Sequence, residues 1–239
     1  MEGPGSPPLT DLHTHILPGL DDGATCLAEA AAMARAALED GIARLAATPH
    51  SLRWPPGTGR ADLEARAQGL ARALAAEALP LTVVPGAEMA LIAALPQQID
   101  AGEAVSLNGG RYLLLELPYT GLPPHLDGIL FQVQARGLVP ILAHPERSDA
   151  LRRNPRLLRE LVGRGLLVQV TAAALEGRFG PEEQAFVRRL LQERLVHVIA
   201  SDSHGPHGRA PRLAKAQALA ARIVGPERAL ALVATNPAR

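Results

Sequence analysis

A short segment near the N-terminus, residues 11–23 with the sequence DLHTHILPGLDDG, carries side chains that can bind a metal ion. Side chains on a β-strand alternate between its two faces, so His13 and His15 would point the same way and could present two imidazoles to one ion. The turn that follows would bring Asp21 or Asp22 back towards that ion. The alternative interpretation is a polar strand end whose histidines face solvent. Partners elsewhere in the chain would favour the metal site.

Strand-like and helix-like segments alternate along the chain. Short apolar runs rich in Val, Ile, Leu and Ala are separated by longer segments rich in Ala, Leu, Arg and Glu, which is the pattern of α/β units with a parallel sheet. The pattern predicts seven strands, at residues 9–14, 42–47, 81–85, 112–117, 139–143, 167–171 and 196–201. It predicts helices at residues 26–40, 60–77, 124–136, 155–164, 181–193, 211–223 and 226–234. Gly41, Gly137 and Gly165 follow three of these helices, as left-handed C-terminal cap residues do.

Residues of metal-binding types follow six of the seven predicted strands. They are His13 and His15 after the first strand, His50 after the second, Glu88 after the third, Glu116 after the fourth, His144 after the fifth, and Asp202 and His204 after the seventh. In barrels of alternating strands and helices, the functional site lies at the C-terminal ends of the strands. We therefore expect these residues to converge. Independent core histidines would not all fall at the same end of successive strands.

The composition of this set predicts metal-assisted phosphoester hydrolysis. Histidines and carboxylates without thiolates suit Zn, Mn or Fe, and the set is too large for one ion, so two or three divalent ions are implied. A carboxylate such as Glu88 could bridge two ions, and a hydroxide held between them is a nucleophile for displacement at phosphorus. Arg147 and Arg209 follow His144 and His204 and could bind phosphate oxygens. Either arginine taken alone could equally be an ordinary surface residue.

Composition excludes several other classes of function. Of the 239 residues 47% are hydrophobic, and 24 basic and 24 acidic residues balance, so we expect a globular chain without a nucleic-acid partner. Cys26 is the single cysteine, which favours a reducing, cytoplasmic location, and Ala32 stands where a Cys-x5-Arg phosphatase would need arginine. No apolar run approaches the roughly 18 residues needed to span a bilayer, so no membrane insertion is expected. We expect one domain over residues 1–239, with residues 1–8 as a flexible segment.

Several motifs in these segments belong together. They are DLHTH at residues 11–15, LPGLDDG at 17–23, TPH at 48–50, GAE at 86–88, LE at 115–116, AHPER at 143–147, HVIASDSH at 197–204 and GR at 208–209. With them the sequence resembles the polymerase-and-histidinol-phosphatase (PHP) superfamily, and within it the bacterial manganese-dependent protein-tyrosine phosphatases of capsule and exopolysaccharide loci. The resemblance implies a distorted seven-stranded, TIM-like (β/α)7 barrel. It also implies hydrolysis of phosphotyrosine, on the tail of a bacterial tyrosine kinase, by a metal-bridging hydroxide.

The resemblance further implies which residues hold each ion of a trinuclear site. The first ion would be held by His13, His15, Glu88 and Asp202, the second by Glu88, Glu116 and His144, and the third by Asp22, His50 and His204. The resemblance selects Asp22 over Asp21 and manganese over Fe or Zn. It assigns substrate binding to Arg147 and Arg209, which act in catalysis with Asp202 and His204.

Other interpretations remain open at this level. Trp54, Tyr119 and Phe179 could form an aromatic wall against the substrate ring, or could simply pack in the core. His207 lies between His204 and Arg209 and could also contact substrate, whereas the remaining histidines are expected to be structural. A PHP phosphoesterase for a small metabolite such as histidinol phosphate is the nearest alternative. A non-catalytic module that binds a phosphotyrosine tail is a second one.

Overall fold

The structure, a computed structural model, describes residues 7–55, 58–118 and 120–238. Strands and helices alternate along these residues. The strands are β1 (Leu9–Thr14), β2 (Ile42–Ala47), β3 (Thr82–Pro85), β4 (Glu88–Ala90), β5 (Tyr112–Glu116), β6 (Val139–Leu142), β7 (Leu167–Thr171) and β8 (Val198–Ala200). The helices are α1 (Leu27–Glu39), α2 (Arg60–Ala76), α3 (Leu95–Asp100), α4 (Leu126–Ala135), α5 (Asp149–Arg153), α6 (Pro155–Gly163), α7 (Ala172–Leu175), α8 (Pro181–Gln192), α9 (Ala214–Val224) and α10 (Pro226–Leu230). No helix in these three ranges is long and apolar enough to cross a membrane.

The strands form two parallel sheets, so the predicted α/β class is confirmed. One sheet has the order β1-β2-β3 and the other has the order β4-β5-β6-β7-β8. Isolated parallel bridges join Thr14 to Ser203 and His50 to Glu88, so each end of the larger sheet contacts the smaller one. The carbonyl of His13 also accepts a hydrogen bond from the backbone N–H of Asp202 at 2.9 Å. The C-terminal ends of β1, β2, β4 and β8 therefore lie close together.

The prediction of seven strands was wrong, because the structure has an eighth within the described residues. The predicted third strand, residues 81–85, corresponds to β3, which pairs with β2. The eighth strand, β4, begins after a division at residues 86–87 and pairs with β5. Gly86 lies at the division, where a Cβ atom would come 2.8 Å from the Leu107 side chain. With only three residues, β4 is too short to produce a periodic signal in the sequence. The division places Glu88 beside the end of β2, where its backbone N–H donates to the carbonyl of Pro49.

Helix positions follow the prediction within a few residues, with two kinds of difference. The short helices α3, α5 and α7 were not predicted, because one or two helical turns carry little periodicity. The last predicted helix divides into α10 and a π-helical turn at Ala231–Thr235. The left-handed cap residues are confirmed, since Gly41, Gly137 and Gly165 have φ angles of 85°, 78° and 94°.

Apolar side chains form two separate clusters. The larger one contains most of the buried Leu, Ile, Val and Ala side chains and draws on α1, α2, α4, α6 and α8 as well as the strands. The smaller one consists of Leu12, Ala46, Leu114, Ile141, Ala143 and Val198, all from strands or the residue after a strand. These six residues are the small inner cluster referred to below.

Glu193, the residue after α8, links that helix to α6. Its two carboxylate oxygens accept hydrogen bonds from Arg159 Nε at 2.7 Å and from Arg189 Nε at 2.8 Å. These bonds, the one from Arg159 first, lower the pKa of Glu193 from 4.5 to about 2. We expect Glu193→Gln to lower the free energy of unfolding by about 1 kcal/mol at low ionic strength, measured by urea titration.

The pH dependence of that loss follows from the direction of the pKa shift. The folded-state pKa lies below the unfolded-state one, so the stabilisation is present above pH 4.5 and disappears as the pH falls towards 2. Glu103→Gln, which changes another exposed glutamate, serves as the control and should leave stability unchanged. Equal urea midpoints for the two variants at neutral pH and low salt would contradict the prediction.

Candidate metal centre

The structure brings all nine predicted ligand side chains together at the C-terminal ends of the strands. They are His13 in β1, His15 and Asp22 after β1, His50 after β2, Glu88 in β4, Glu116 at the end of β5, His144 after β6, and Asp202 and His204 after β8. Glu88 lies at the centre of the cluster and is only 1% exposed. Within the described residues, three overlapping groups have the spacing that one metal ion requires: His13, His15 and Glu88; His50, Glu88 and Glu116; and His15, Asp22, His50 and His204. Asp202 lies against the first group and His144 against the second.

The first group surrounds the two histidines of the N-terminal motif. His13 Nε2 lies 3.2 Å from His15 Nε2 and 3.2 Å from Glu88 Oε2. Asp202 Oδ1 lies 3.5 Å from His13 Nε2 and 3.4 Å from His15 Nε2. Two carboxylate oxygens therefore lie within 3.5 Å of the imidazole nitrogen of His13.

Hydrogen bonds on the far side of the two rings determine which ring nitrogen faces the ligand cluster. His13 Nδ1 lies 2.9 Å from Gln169 Oε1, and His15 Nδ1 lies 2.6 Å from Asp21 Oδ2. An amide or carboxylate oxygen accepts a hydrogen bond, so each Nδ1 carries a proton and each Nε2 is the nitrogen that can take either a second proton or a metal ion. The two Nε2 atoms lie only 3.2 Å apart, so one cation could contact both of them.

The second group connects Glu88 with the ends of β2, β5 and β6. His144 Nε2 lies 2.8 Å from Glu88 Oε1 and 3.8 Å from Glu116 Oε1. His50 Nδ1 lies 2.8 Å from Glu88 Oε2 and 3.3 Å from Glu116 Oε2. The family resemblance assigned His50 to the third ion alone, whereas in the structure His50 also contacts Glu88 and Glu116 of the second group. Glu88 thus uses one oxygen towards His144 and the other towards His13 and His50.

The third group lies nearest to solvent. His50 Nε2 and His204 Nε2 are each 3.5 Å from Asp22 Oδ1, and the Asp22 side chain is 42% exposed. His204 Nδ1 donates to the carbonyl of Asp202 at 3.0 Å, which leaves its Nε2 with a lone pair directed at this group. Burial and then the neighbouring His15 lower the pKa of His204 to about 3. The ring is therefore neutral at physiological pH, as a ligand must be.

Asp21 and Asp22 are adjacent in sequence but have different surroundings. Asp21 accepts hydrogen bonds from His15 Nδ1 at 2.6 Å and from the backbone N–H groups of Gly23 and His50, both at 2.9 Å. Burial alone would raise the pKa of Asp21, but the bond from His15 outweighs it and the pKa falls to about 2. Asp21 therefore orients ligand residues, whereas Asp22 faces the third group directly.

Negative charge dominates the cluster. Burial alone would lower the pKa of His13, but Glu88 and Asp202 outweigh burial and raise the pKa to about 9. Burial would likewise lower the pKa of His50, which Glu116 and Glu88 raise to about 10. Burial would raise the pKa of Glu88, but the contact with His13 holds it well below its usual range. The carboxylates that raise the pKa of His13 and His50 stabilise positive charge in this cluster, and metal ions could take the place of the protons.

Buried oxygens without hydrogen bonds lead to the same conclusion. In the part of the chain that the structure describes, Glu88 Oε2, Glu116 Oε1 and Asp202 Oδ1 are buried and accept no hydrogen bond of adequate geometry. An unsatisfied buried carboxylate oxygen is costly unless a cation coordinates it. The residues present therefore fit divalent metal ions with nitrogen and oxygen ligands.

Both predicted phosphate-binding arginines lie beside this cluster. Arg147 Nη2 and Arg209 Nη2 are each 2.7 Å from Asp202 Oδ2, the carboxylate oxygen opposite the one that faces the histidines. The Arg147 guanidinium also stacks on Phe179, with Cζ 4.8 Å from the ring centroid. These three side chains help to line an open cleft of about 540 Å³ next to the cluster, together with Thr120.

The other predicted contact residues are less central. Trp54 is half-buried and packs against the larger apolar cluster, and Tyr119 lies outside the described residues. His207 is exposed and belongs to none of the three ligand groups. Sequence reasoning did not find Gln169, which holds His13 from the middle of β7. A single amide in the apolar strand LVQVT, the one predicted strand without a ligand at its end, was the available signal.

The chain is similar over most of its length to proteins of one family. The family model for capsular polysaccharide synthesis, CpsB/CapC, matches residues 9–239. Tyrosine-protein phosphatase YwqE from Bacillus subtilis (strain 168) is 38% identical over 196 residues, which are 82% of this chain and 77% of that protein. Tyrosine-protein phosphatase CpsB from Streptococcus pneumoniae is 27% identical over 237 residues, which are 96% of this chain and 96% of that protein.

A solved structure is similar as well. It comes from the crystal structures of YwqE from Bacillus subtilis and CpsB from Streptococcus pneumoniae, described as unique metal-dependent tyrosine phosphatases. It superposes with a TM-score of 0.88 at 35% sequence identity and covers 94% of this chain and 91% of the solved one. The family expected from the sequence motifs is confirmed, and the chain belongs to the capsular polysaccharide synthesis family CpsB/CapC.

Proposed function

We propose that this chain is a metal-dependent protein-tyrosine phosphatase. The observation that carries the proposal is the buried cluster in which Glu88 faces four histidines, with two arginines converging beside it on Asp202. Hydrolysis of a phosphate monoester requires a positioned nucleophile and positive charge around the transferring phosphoryl group. The activity named for YwqE and CpsB supports the same function.

Three sets of side chains would hold divalent ions, for which we propose manganese. The sets are His13, His15, Glu88 and Asp202; Glu88, Glu116 and His144; and Asp22, His50 and His204. Such ions, when bound, lower the pKa of water to produce a nucleophile and offset charge on the phosphoryl group. The outer hydrogen bonds from Gln169 and Asp21 would keep the histidine lone pairs directed at the ions.

The arginines would bind the phosphoryl group of the substrate. The guanidinium groups of Arg147 and Arg209 converge on Asp202 Oδ2, so a phosphoryl oxygen placed there can take over both charge-assisted hydrogen bonds. Asp202 would then act through its other oxygen on the ions, next to His204. Phe179, already stacked under Arg147, is placed to contact the ring of phosphotyrosine.

The protein substrate that we propose is the phosphotyrosine-containing tail of a bacterial tyrosine kinase. An extended tail can enter an open cleft such as the one of about 540 Å³ beside Arg147, without prior unfolding of a domain. We also infer that the two sheets form one distorted barrel and that the chain is a single domain. The two isolated bridges between the sheets and an apolar cluster that runs from Leu9 to Ala234 support this arrangement. The cytoplasmic location stays a prediction.

Removal and replacement of the metal tests the proposed function. We expect a chelator to abolish hydrolysis of a phosphotyrosine peptide and added Mn²⁺ to restore it. His144→Ala should lower kcat by about 10²-fold or more, because it removes a nitrogen 2.8 Å from Glu88. His207→Ala, which changes an exposed histidine outside the ligand groups, is the matched control and should retain full activity.

The same assay separates the alternatives. Hydrolysis that survives both chelation and His144→Ala would contradict the proposal. Faster turnover of histidinol phosphate than of phosphotyrosine peptide would identify a small-metabolite phosphoesterase instead. Binding of a phosphotyrosine peptide by the Mn²⁺-loaded protein, without turnover, would indicate a non-catalytic module.

Substitution of the two adjacent aspartates should have different effects on metal binding. We expect Asp21→Asn to weaken metal affinity by about 10- to 100-fold with the number of bound ions unchanged at saturation, because Asp21 holds His15 and the backbone of His50. Asp22→Asn should instead remove one ion and leave the one between His13 and His15 bound. Calorimetric titration of the metal-free protein with Mn²⁺ measures both quantities. Identical titrations of the two variants would refute the distinction.

A further inference from the structure

A second cavity lies at the opposite end of the strands from the candidate metal centre. It has a volume of about 770 Å³ and is lined mainly by residues near the N-terminal ends of the strands, together with residues 107, 108, 110, 111 and 236–238. Its lining residues in the strands include Thr10, Arg44, Thr82, Tyr112, Leu167 and Val198. We propose that this cavity, the basal cavity, binds an organic anion that has an apolar body.

The inner wall of the basal cavity is apolar. Leu12, Ala46, Ile141 and Val198 line it and belong to the small inner cluster, which is separate from the larger apolar cluster. Alanine and valine at these positions are too small to fill the space, and half-buried Val84 extends the apolar surface towards the opening. An apolar group that enters would be removed from water on several sides, which is the main source of affinity in such pockets.

The rim of the basal cavity is positively charged. Arg44 and Arg111 line it and are exposed, and no acidic side chain among the described residues does so. The Arg111 guanidinium lies 5.7 Å from the ring centroid of Tyr112, a half-buried residue that also lines the cavity. Two guanidinium groups at the mouth of an apolar pocket favour a ligand with a carboxylate, sulfonate or phosphate at one end.

The basal cavity is physically separate from the proposed active site. None of its lining residues is a candidate metal ligand, and neither Arg147 nor Arg209 lines it. Two members of the small inner cluster do not line the cavity and stand between it and the ligands: Leu114 lies in β5 two residues before Glu116, and Ala143 follows β6 and directly precedes His144. The cavity ligand is therefore distinct from the phosphatase substrate, and the proposal does not depend on the proposed function.

Two dyes with nearly the same apolar body test this proposal. 8-Anilinonaphthalene-1-sulfonate carries one negative charge, and N-phenyl-1-naphthylamine carries none. Fluorescence titrations are made on the full chain in the presence of excess inorganic phosphate, which competes for the arginines of the proposed active site. We expect the anionic dye to bind at one site per chain and more tightly than the neutral dye.

Variants assign the binding to the cavity. The double variant Arg44→Ala and Arg111→Ala should lower the affinity for the anionic dye by about tenfold and change the affinity for the neutral dye by less than about twofold. Val84→Trp, which fills part of the cavity, should lower the affinity for both dyes. If Val84→Trp does not fold, Thr82→Trp at the exposed rim is a second variant that fills the cavity. Arg156→Ala, which removes a remote exposed arginine, is the matched control. Equal affinity of the anionic dye for all of the folded variants would overturn the proposal, as would a neutral dye that binds as tightly as the anionic one.

Discussion

Replacement of Glu88 by glutamine should abolish phosphatase activity and metal binding together. Glu88 Oε1 lies 2.8 Å from His144 Nε2, and Oε2 lies 2.8 Å from His50 Nδ1 and 3.2 Å from His13 Nε2. Glutamine keeps the shape of the side chain but removes the charge and replaces one acceptor oxygen by a donor, which cannot coordinate an ion. We expect kcat for a phosphotyrosine peptide to fall by at least about 10³-fold. Substitution of a residue that only hydrogen-bonds to a metal ligand already lowers metal affinity or activity by about 10- to 100-fold.

Glu146→Gln is the matched control for this prediction. Glu146 is also a buried glutamate, but it belongs to none of the three ligand groups, and its Oε1 accepts a hydrogen bond from the Thr171 backbone N–H at 2.7 Å. Burial disfavours the charged form of Glu146 and raises its pKa, so we expect a neutral side chain of the same shape to be accepted there. Activity within about threefold of the original protein is expected. Elemental analysis should find fewer bound ions in Glu88→Gln only, and a full complement of ions in that variant would contradict its role as a bridge.

Gly23→Ala should disrupt the N-terminal motif without changing a ligand. A Cβ atom on Gly23 would lie 2.5 Å from His15 Cβ and 2.8 Å from the His15 carbonyl carbon, and it would be closer still to the carbonyl oxygen. Backbone atoms of a buried strand end cannot move aside, so the segment that carries Asp21 and Asp22 would have to shift. We expect a loss of about 3 kcal/mol or more in the free energy of unfolding, at the upper end of overpacking effects.

Thermal and urea unfolding measure this loss. Gly163→Ala is the matched control, because a Cβ atom at the end of α6 would meet nothing within 4 Å and alanine favours the helix. That variant should be as stable as the original protein or about 0.5 kcal/mol more stable. Mn²⁺ titration of the Gly23→Ala protein should also show weaker binding at the group of Asp22, His50 and His204. Unchanged stability of Gly23→Ala would show that the segment accommodates the methyl group.

Much of the architecture follows from local sequence pattern. Buried parallel strands read as continuous apolar runs, and helices between them read as longer segments of helix-forming residues, so their order could be predicted. The position of Glu88 relative to the other strand ends could not be predicted. The separation of β3 from β4 depends on the close approach of Gly86 to Leu107, which are 21 positions apart, and on the pairing of β4 with β5.

For the candidate site too, some features could be predicted from the sequence and others could not. Ligand types at successive strand ends are visible in the sequence, because parallel strands bring their C-terminal ends to one side whatever the details of packing. The partners that orient the ligands are less visible. Gln169 and Asp21 each make one hydrogen bond to a ligand ring, that of His13 and that of His15. Gln169 is far from His13 in the sequence, and Asp21 is separated from His15 by a turn, so neither contact can be read from sequence pattern.

By itself, the sequence determined the α/β class, the family, the identity of the candidate ligands and the end of the strands at which they meet. These properties depend on residue type and on short-range periodicity, which one chain displays without reference to its packing. Only the tertiary structure decided that Asp21 orients His15, that His50 lies between two groups, and that both arginines converge on Asp202. It alone revealed the basal cavity as well, because a void and the direction of a side chain depend on how distant segments pack.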